Sequence, residues 1–236
     1  MNGKMMIDAR AIPVSRRVAA LTFLLVAYFF YAWSWNTVDI LRPYIKDSLG
    51  LSLTQSGSLY SLQSIGAIAG AVAMGQIADK IGRRNALVIS MFGYGTGLLS
   101  ALLVTNYLGL IFQRIGLGFF MGSMFPIAVG IYSGLFAREV RGRIAGVVLG
   151  TYNLAVAALG FLSAAAFSNG YDWKILLWAG AVPIAIALFA FLIVPDDRRL
   201  IPMDGIADGQ TTAKAALPIA ELFKPGVARQ PCCWRR

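Results

Sequence analysis

Apolar stretches of about 20 residues alternate with short polar connections along the first 200 positions of the chain. The apolar blocks cover residues 18–40, 53–78, 86–105, 108–136, 144–167 and 175–194. Each can cross about 30 Å of hydrocarbon at about 1.5 Å rise per residue. Lipid offers no partner to a bare backbone N–H or C=O, so each block predicts a transmembrane α-helix. Connections as short as 106–107 and 168–174 make neighbouring helices antiparallel hairpins. The first block is longer than a secretory signal core and no small-residue cleavage site follows it, so it reads as a retained span. The pattern predicts an all-α membrane protein with six transmembrane helices over 18–194, a basic lead over 1–17, and a polar segment over 195–236.

Composition agrees with the pattern. Hydrophobic residues make up 58% of the chain, charged residues only 14%, and the mean hydropathy is +0.67. A water-soluble domain of that make-up would expose too much apolar surface to stay dispersed.

The net charge of +10 raises the question of nucleic-acid binding, and its distribution answers it. Of the 21 Lys and Arg residues, 17 fall before the first block, between the second and third, between the fourth and fifth, or after the sixth. Only Arg42, Lys46 and Lys174 occupy the opposite connections, and Arg114 lies inside a block. This is the positive-inside asymmetry. It predicts both termini on the cytoplasmic side of a cell inner membrane, with lipid rather than nucleic acid as the partner.

The chain has no histidine, and its two cysteines, Cys232 and Cys233, are adjacent near the end. That spacing suits neither a metal site nor a structural disulfide. No nucleophile elbow, P-loop or dinucleotide fingerprint is present. An enzyme is not expected, nor is any cofactor.

Between Gly75 and Leu87 the chain reads GQIADKIGRRNAL, a charged turn wedged between two apolar blocks. The run closely resembles the loop joining helices 2 and 3 in transporters of the major facilitator superfamily, G-x-L-A-D-R-x-G-R-R-x-x-L. Gly75, Ala78, Asp79, Gly82, Arg83, Arg84 and Leu87 match outright, and the resemblance covers residues 16–226. It implies the amino-terminal six-helix half of a twelve-helix transporter and a gating role for Gly75, Asp79, Gly82, Arg83 and Arg84. Asp79 is expected to accept hydrogen bonds from a neighbouring helix start or from Arg side chains. Read on spacing alone, the same residues make a polar turn that fixes topology.

By the same resemblance, 195–236 corresponds to the linker between halves, and LFKPG to the lead into a seventh helix. PCCWRR follows instead, which leads us to expect a truncated or frame-shifted chain, inactive alone, that lacks its carboxy-terminal six-helix half or an equivalent partner. The run 216–223 is apolar enough to lie along a membrane surface.

Five candidates for the solute site stand on their chemistry. Arg114, inside the fourth block, costs about 2.5–3.5 kcal/mol at the bilayer centre, so it needs a polar cavity or a partner. A fixed cation there suits an anionic solute, or else pairs with a helix end. Arg114, Gly118, Gly122 and Pro126 resemble the fourth helix of organic-acid and aromatic-acid proton symporters, although Gly134 stands where that pattern has an acid. Gln63 and Asn153 lie mid-block and are expected to face the bundle interior. Tyr31 and Asn36, with Tyr28, Trp33 and Trp35, give the first helix an aromatic, polar surface.

Asp39 is a candidate proton carrier, since a low-dielectric site favours the neutral acid. Arg42 follows at the spacing of a local ion pair, the competing reading. YAWSWNTVD departs from the D-G-F-D-type motif of aromatic-acid symporters. Gly66/Gly70, Gly118/Gly122 and Gly146/Gly150 permit close helix approach.

Together these readings predict a transporter for small organic anions, driven by a proton gradient and working as uptake. The fifth block lacks the G-x-x-x-G-P element of drug–proton antiporters, which turns the reading away from efflux. Efflux, a non-transporting partner subunit and a self-associating half are the alternatives.

Overall fold

The computed structural model describes residues 7–201. The expectations placed on Lys4, on 216–223 and on Cys232 and Cys233 lie outside those residues.

Among the described residues, eight helices make up the bundle. α1 spans Val14–Leu49, α2 Leu53–Ile81, α3 Arg83–Ser100, α4 Tyr107–Met121, α5 Met124–Leu135, α6 Arg138–Ser168, α7 Ala181–Ala187 and α8 Ala190–Ile193. Five stretches are long and apolar enough to cross a membrane, with α4 and α5 together forming the fourth.

Helix α1 outruns its apolar block by nine residues and continues through Arg42 and Pro43 to Leu49. It stops at Gly50, whose φ of +60° is a left-handed cap. Pro43 has no N–H to offer the carbonyl of Asp39 one turn earlier, so the helix carries a freed carbonyl at that point. Ser52 and Gln55 form a reciprocal capping box that starts α2.

The fourth block divides at Gly122–Ser123, because Pro126 lacks the N–H that Gly122's carbonyl would otherwise accept. The sixth block differs most from expectation, being segmented rather than one continuous helix. A 3-10 stretch over Trp173–Gly180 leads into α7 and α8. Pro183 removes one bond of the ladder, and the chain reverts to i→i+3 hydrogen bonds at Phe189, Phe191 and Leu192.

Packing is tightest between α2 and α4, which run parallel. A methyl group added to Gly66 or Gly70 would overlap the carbonyl of Ile115 or Phe119, and one on Gly118 or Gly122 would overlap that of Gln63 or Ala67. These two G-x-x-x-G pairs bring backbone onto backbone. Gly146 and Gly150 of α6 do not: nothing lies within 4 Å of a methyl on either. The expected close approach on that face is absent among the described residues, because both glycines turn away from the bundle.

The lead into α1 is ordered against the bundle. Ile7–Asp8 pairs in parallel with Leu200–Ile201, and Ala9 and Ile12 are buried. This joins the start of the described chain to the segment after α8.

Candidate functional site

The charged turn is a one-residue connection. α2 ends at Ile81, α3 begins at Arg83, and Gly82 between them has φ +91°, a conformation that disfavours any side chain. The first N–H of α3 needs an acceptor, and the sequence nominates Asp79 for that role. The structure gives it to Asp197. The Arg83 N–H donates to Asp197 Oδ1 and Oδ2 at 2.9 and 3.0 Å. Asp79 is exposed and has no hydrogen bond or ion pair among the described residues. The reason is directional: Asp79 lies on the outward face of the last turn of α2, while the segment after α8 passes beneath the α3 start. A methyl group added to Gly75 would meet nothing within 4 Å among the described residues.

The arginines of the turn serve their neighbours. Arg83 Nη1 donates to the Gly130 carbonyl at 2.9 Å, and Arg141 Nε donates to that of Phe136 at 3.0 Å. Arg141 thus meets the carboxyl-terminal end of α5, where the helix dipole is negative, and Arg83 its middle. Arg84 lies 3.7 Å from Asp196 and 5.3 Å over the ring of Phe191. Burial raises the Asp196 pKa, but hydrogen bonds from the Arg198 side chain and backbone N–H and the charges of Arg198 and Arg84 outweigh it and hold the carboxyl below its usual range.

The solute candidates gather away from this turn, at one level of four helices. In the α2–α4 seam Gly66 meets Ile115, the residue after Arg114, and the Gln63 carbonyl meets Gly118 one turn on, so Arg114 and Gln63 lie about a turn apart on facing helices. Gln63 Nε2 donates to the Trp35 carbonyl of α1 at 3.2 Å. On the next residue, Asn36 Nδ2 donates to the Tyr152 hydroxyl of α6 at 2.9 Å, and to Ala32's carbonyl at 2.8 Å. A polar layer therefore runs from α6 through α1 to α2, with α4 at the same height.

Its electrostatics are unbalanced. Arg114 is fully buried, and among the described residues none of its three guanidinium nitrogens has a hydrogen-bond partner. Gln63 is equally buried, and its Oε1 is unpaired. Enclosed cations of this kind are strongly disfavoured unless a counter-charge arrives. Asp39 forms no hydrogen bond or ion pair with Arg114. Its side chain is committed elsewhere, at 2.6 Å from Arg42 three residues on, and is 37% exposed.

An aromatic wall flanks the layer. Tyr28 and Tyr31 stack with ring centroids 5.0 Å apart, and Tyr31 lies 6.1 Å from Trp35 and 6.5 Å from Tyr152. Trp35 in turn meets the edge of Tyr60 at 6.3 Å. Trp33 sits on another face of α1, donating its indole N–H to the Leu176 carbonyl at 3.3 Å.

Asn153 does not join the group. It is exposed on α6 and its amide folds back on the Leu149 carbonyl at 3.1 Å. The expectation that it faces the bundle interior fails by one residue, since neighbours on a helix point about 100° apart. Tyr152 takes the inward position instead. The only signal for it in the sequence is that it precedes a mid-span Asn.

Residues 24–234 match the family model described as Major Facilitator Superfamily. The 4-hydroxybenzoate transporter PcaK of Pseudomonas putida is 28% identical over 193 residues, 80% of this chain and 42% of the relative. Myo-inositol transporter 2 of Cryptococcus neoformans is 29% identical over 187 residues, 76% of this chain and 33% of the relative. Among solved structures, the inward-open xylose transporter XylE from E. coli superimposes with a TM-score of 0.60 at 19% identity, over 79% of this chain and 49% of that one. The chain therefore spans a third to a half of the length of these proteins.

Proposed function

Because the chain belongs to the major facilitator superfamily, we propose that it forms one half of the solute path of a proton-coupled uptake transporter for small organic anions. It sits in a cell inner membrane with both ends on the cytoplasmic side. Alone it is inactive, since the opposite wall of the path comes from six further helices or an equivalent partner.

One observation carries the reading: the buried guanidinium of Arg114 with all its donors unmet. A carboxylate supplies the missing charge and accepts two parallel hydrogen bonds. Gln63 Oε1 then offers an acceptor to a hydroxyl on the same solute, and Tyr31, Trp35 and Tyr152 supply ring faces beside it. Arg114 and Gln63 are closed off in this conformation, so the solute gains them when the aromatic stripe of α1 moves aside. Asp39, exposed and one turn from Trp35, is the group placed to exchange a proton. The similarity to a 4-hydroxybenzoate transporter supports this substrate class.

The similarity to a myo-inositol transporter favours a second reading, a neutral polyol held by Gln63, Asn36 and Tyr152. Thermal unfolding of the purified chain in detergent separates the two. Benzoate raises the melting temperature, its neutral isostere benzamide does not, and Arg114→Gln removes the benzoate effect. If myo-inositol and benzamide stabilise the chain and benzoate does not, the polyol reading replaces the anion reading.

A further inference from the structure

The aromatic stripe of α1 does not stop at the polar layer. In steps of three and four residues from Tyr28 it runs through Tyr31, Trp35, Asp39, Arg42 and Lys46, all on one helix face. Arg42 and Lys46 are each about two-fifths exposed along the side chain. Helices α2 and α6 both pack on α1, and between them this face stays part-exposed at Tyr31, Trp35, Arg42 and Lys46 and exposed at Asp39. The outer end of this face carries two of the three cations that the charge asymmetry leaves on that side.

Arg42 is only partly used. Its Nη2 donates to Asp39 Oδ1 at 2.6 Å, while its Nε is covered by the protein and has no hydrogen-bond partner. Among the described residues Lys46 has only a long contact to Asp47, at 3.4 Å. The Nε–Nη2 edge of a guanidinium is the edge that a carboxylate grips with both oxygens. Asp39 reaches one corner of it because three residues of helix hold it to an end-on approach.

We propose that Arg42, with Lys46 outside it, is a second anion-binding site, an outer dock that receives a small carboxylate before it reaches Arg114. The incoming carboxylate displaces Asp39 from Nη2, and the rearrangement of the freed guanidinium uncovers Nε for a side-on grip, so Asp39 is a built-in competitor for the dock. Asp39 lies between Arg42 and the layer that holds Gln63 and Arg114, so the anion is passed along one helix face from outer cation to inner. The inference rests on the anion reading of Arg114 and extends it outward.

Equilibrium dialysis of labelled benzoate against the full chain in lipid nanodiscs tests the dock. Because Asp39 and Arg42 are both part-exposed, their variants keep the fold. Asp39→Asn removes the competitor and tightens binding about two- to five-fold, the range expected for releasing an exposed ion pair. Arg42→Gln weakens binding, and in its background Asp39→Asn brings no further gain. The proposal is overturned if Asp39→Asn fails to tighten binding, or tightens it equally with Arg42 replaced. Arg114→Gln reports on the inner site separately. If it leaves binding intact while the Asp39 and Arg42 pattern holds, the dock stands and the Arg114 reading falls. No saturable binding by the unaltered chain removes both.

Discussion

The amide of Arg83 and the carboxylate of Asp197 meet across 114 residues of chain, at 2.9 and 3.0 Å. This contact caps the third helix from a distance. Asp197→Ala is expected to cost about 1 kcal/mol, as for other lost helix caps, and to lower the melting temperature of the chain in detergent. Asp79→Ala, which removes an exposed carboxylate, leaves the melting temperature unchanged in the same measurement.

The neighbouring acid gives a pH signature. Asp196 has a depressed pKa, so its contribution is fully present above the ordinary carboxylate value and is lost as pH falls through the lower, folded-state value. Asp196→Asn therefore unfolds at a lower temperature than the unaltered chain near pH ~7. The two curves converge only once the pH has fallen below that folded-state value, where both side chains are uncharged. A gap of constant size across that range would show that the charge is not what matters.

Arg114 sets stability against function. Its enclosed, unpartnered guanidinium costs free energy, so Arg114→Met is expected to stabilise the chain by about 2 kcal/mol while weakening its response to benzoate. Chemical denaturation with and without benzoate reads both effects. Destabilisation on replacement would mean that Arg114 already has a counter-charge.

Tyr152 and Asn153 provide an adjacent pair with opposite expectations. Tyr152→Phe deletes the hydrogen bond to Asn36 and costs about 1 kcal/mol, with weaker benzoate binding. Asn153→Ala deletes only a bond to its own helix and changes neither quantity.

Much of this was legible along the chain, and what was not has identifiable causes. The one-residue turn at Gly82 and the Arg42–Asp39 pair are local, so spacing decides them. The G-x-x-x-G runs of α2 and α4 also declared themselves, but the same spacing in α6 leads to open space at Gly146 and Gly150, because spacing says nothing about which face a helix turns inward. Asn153 was lost to that same ambiguity. Asp197 could not be seen as a cap, since no periodicity links residues so far apart. The segmented sixth span escaped notice because apolar length alone does not reveal where Pro183 interrupts the ladder.

The backbone-to-backbone contact of α2 with α4 has a mechanical consequence. With four carbonyls seated against four glycines, neither helix can slide or roll past the other without steric collision, so the pair behaves as a single stiff beam. Any rearrangement that uncovers Arg114 must then be borne by α1, whose ladder is already interrupted at Pro43, hinging against an unyielding support. Gly70→Ala or Gly122→Ala, expected to cost about 1–3 kcal/mol by overpacking where Gly146→Ala costs nothing, would show in a melting curve how much of the bundle's stiffness resides in that one seam.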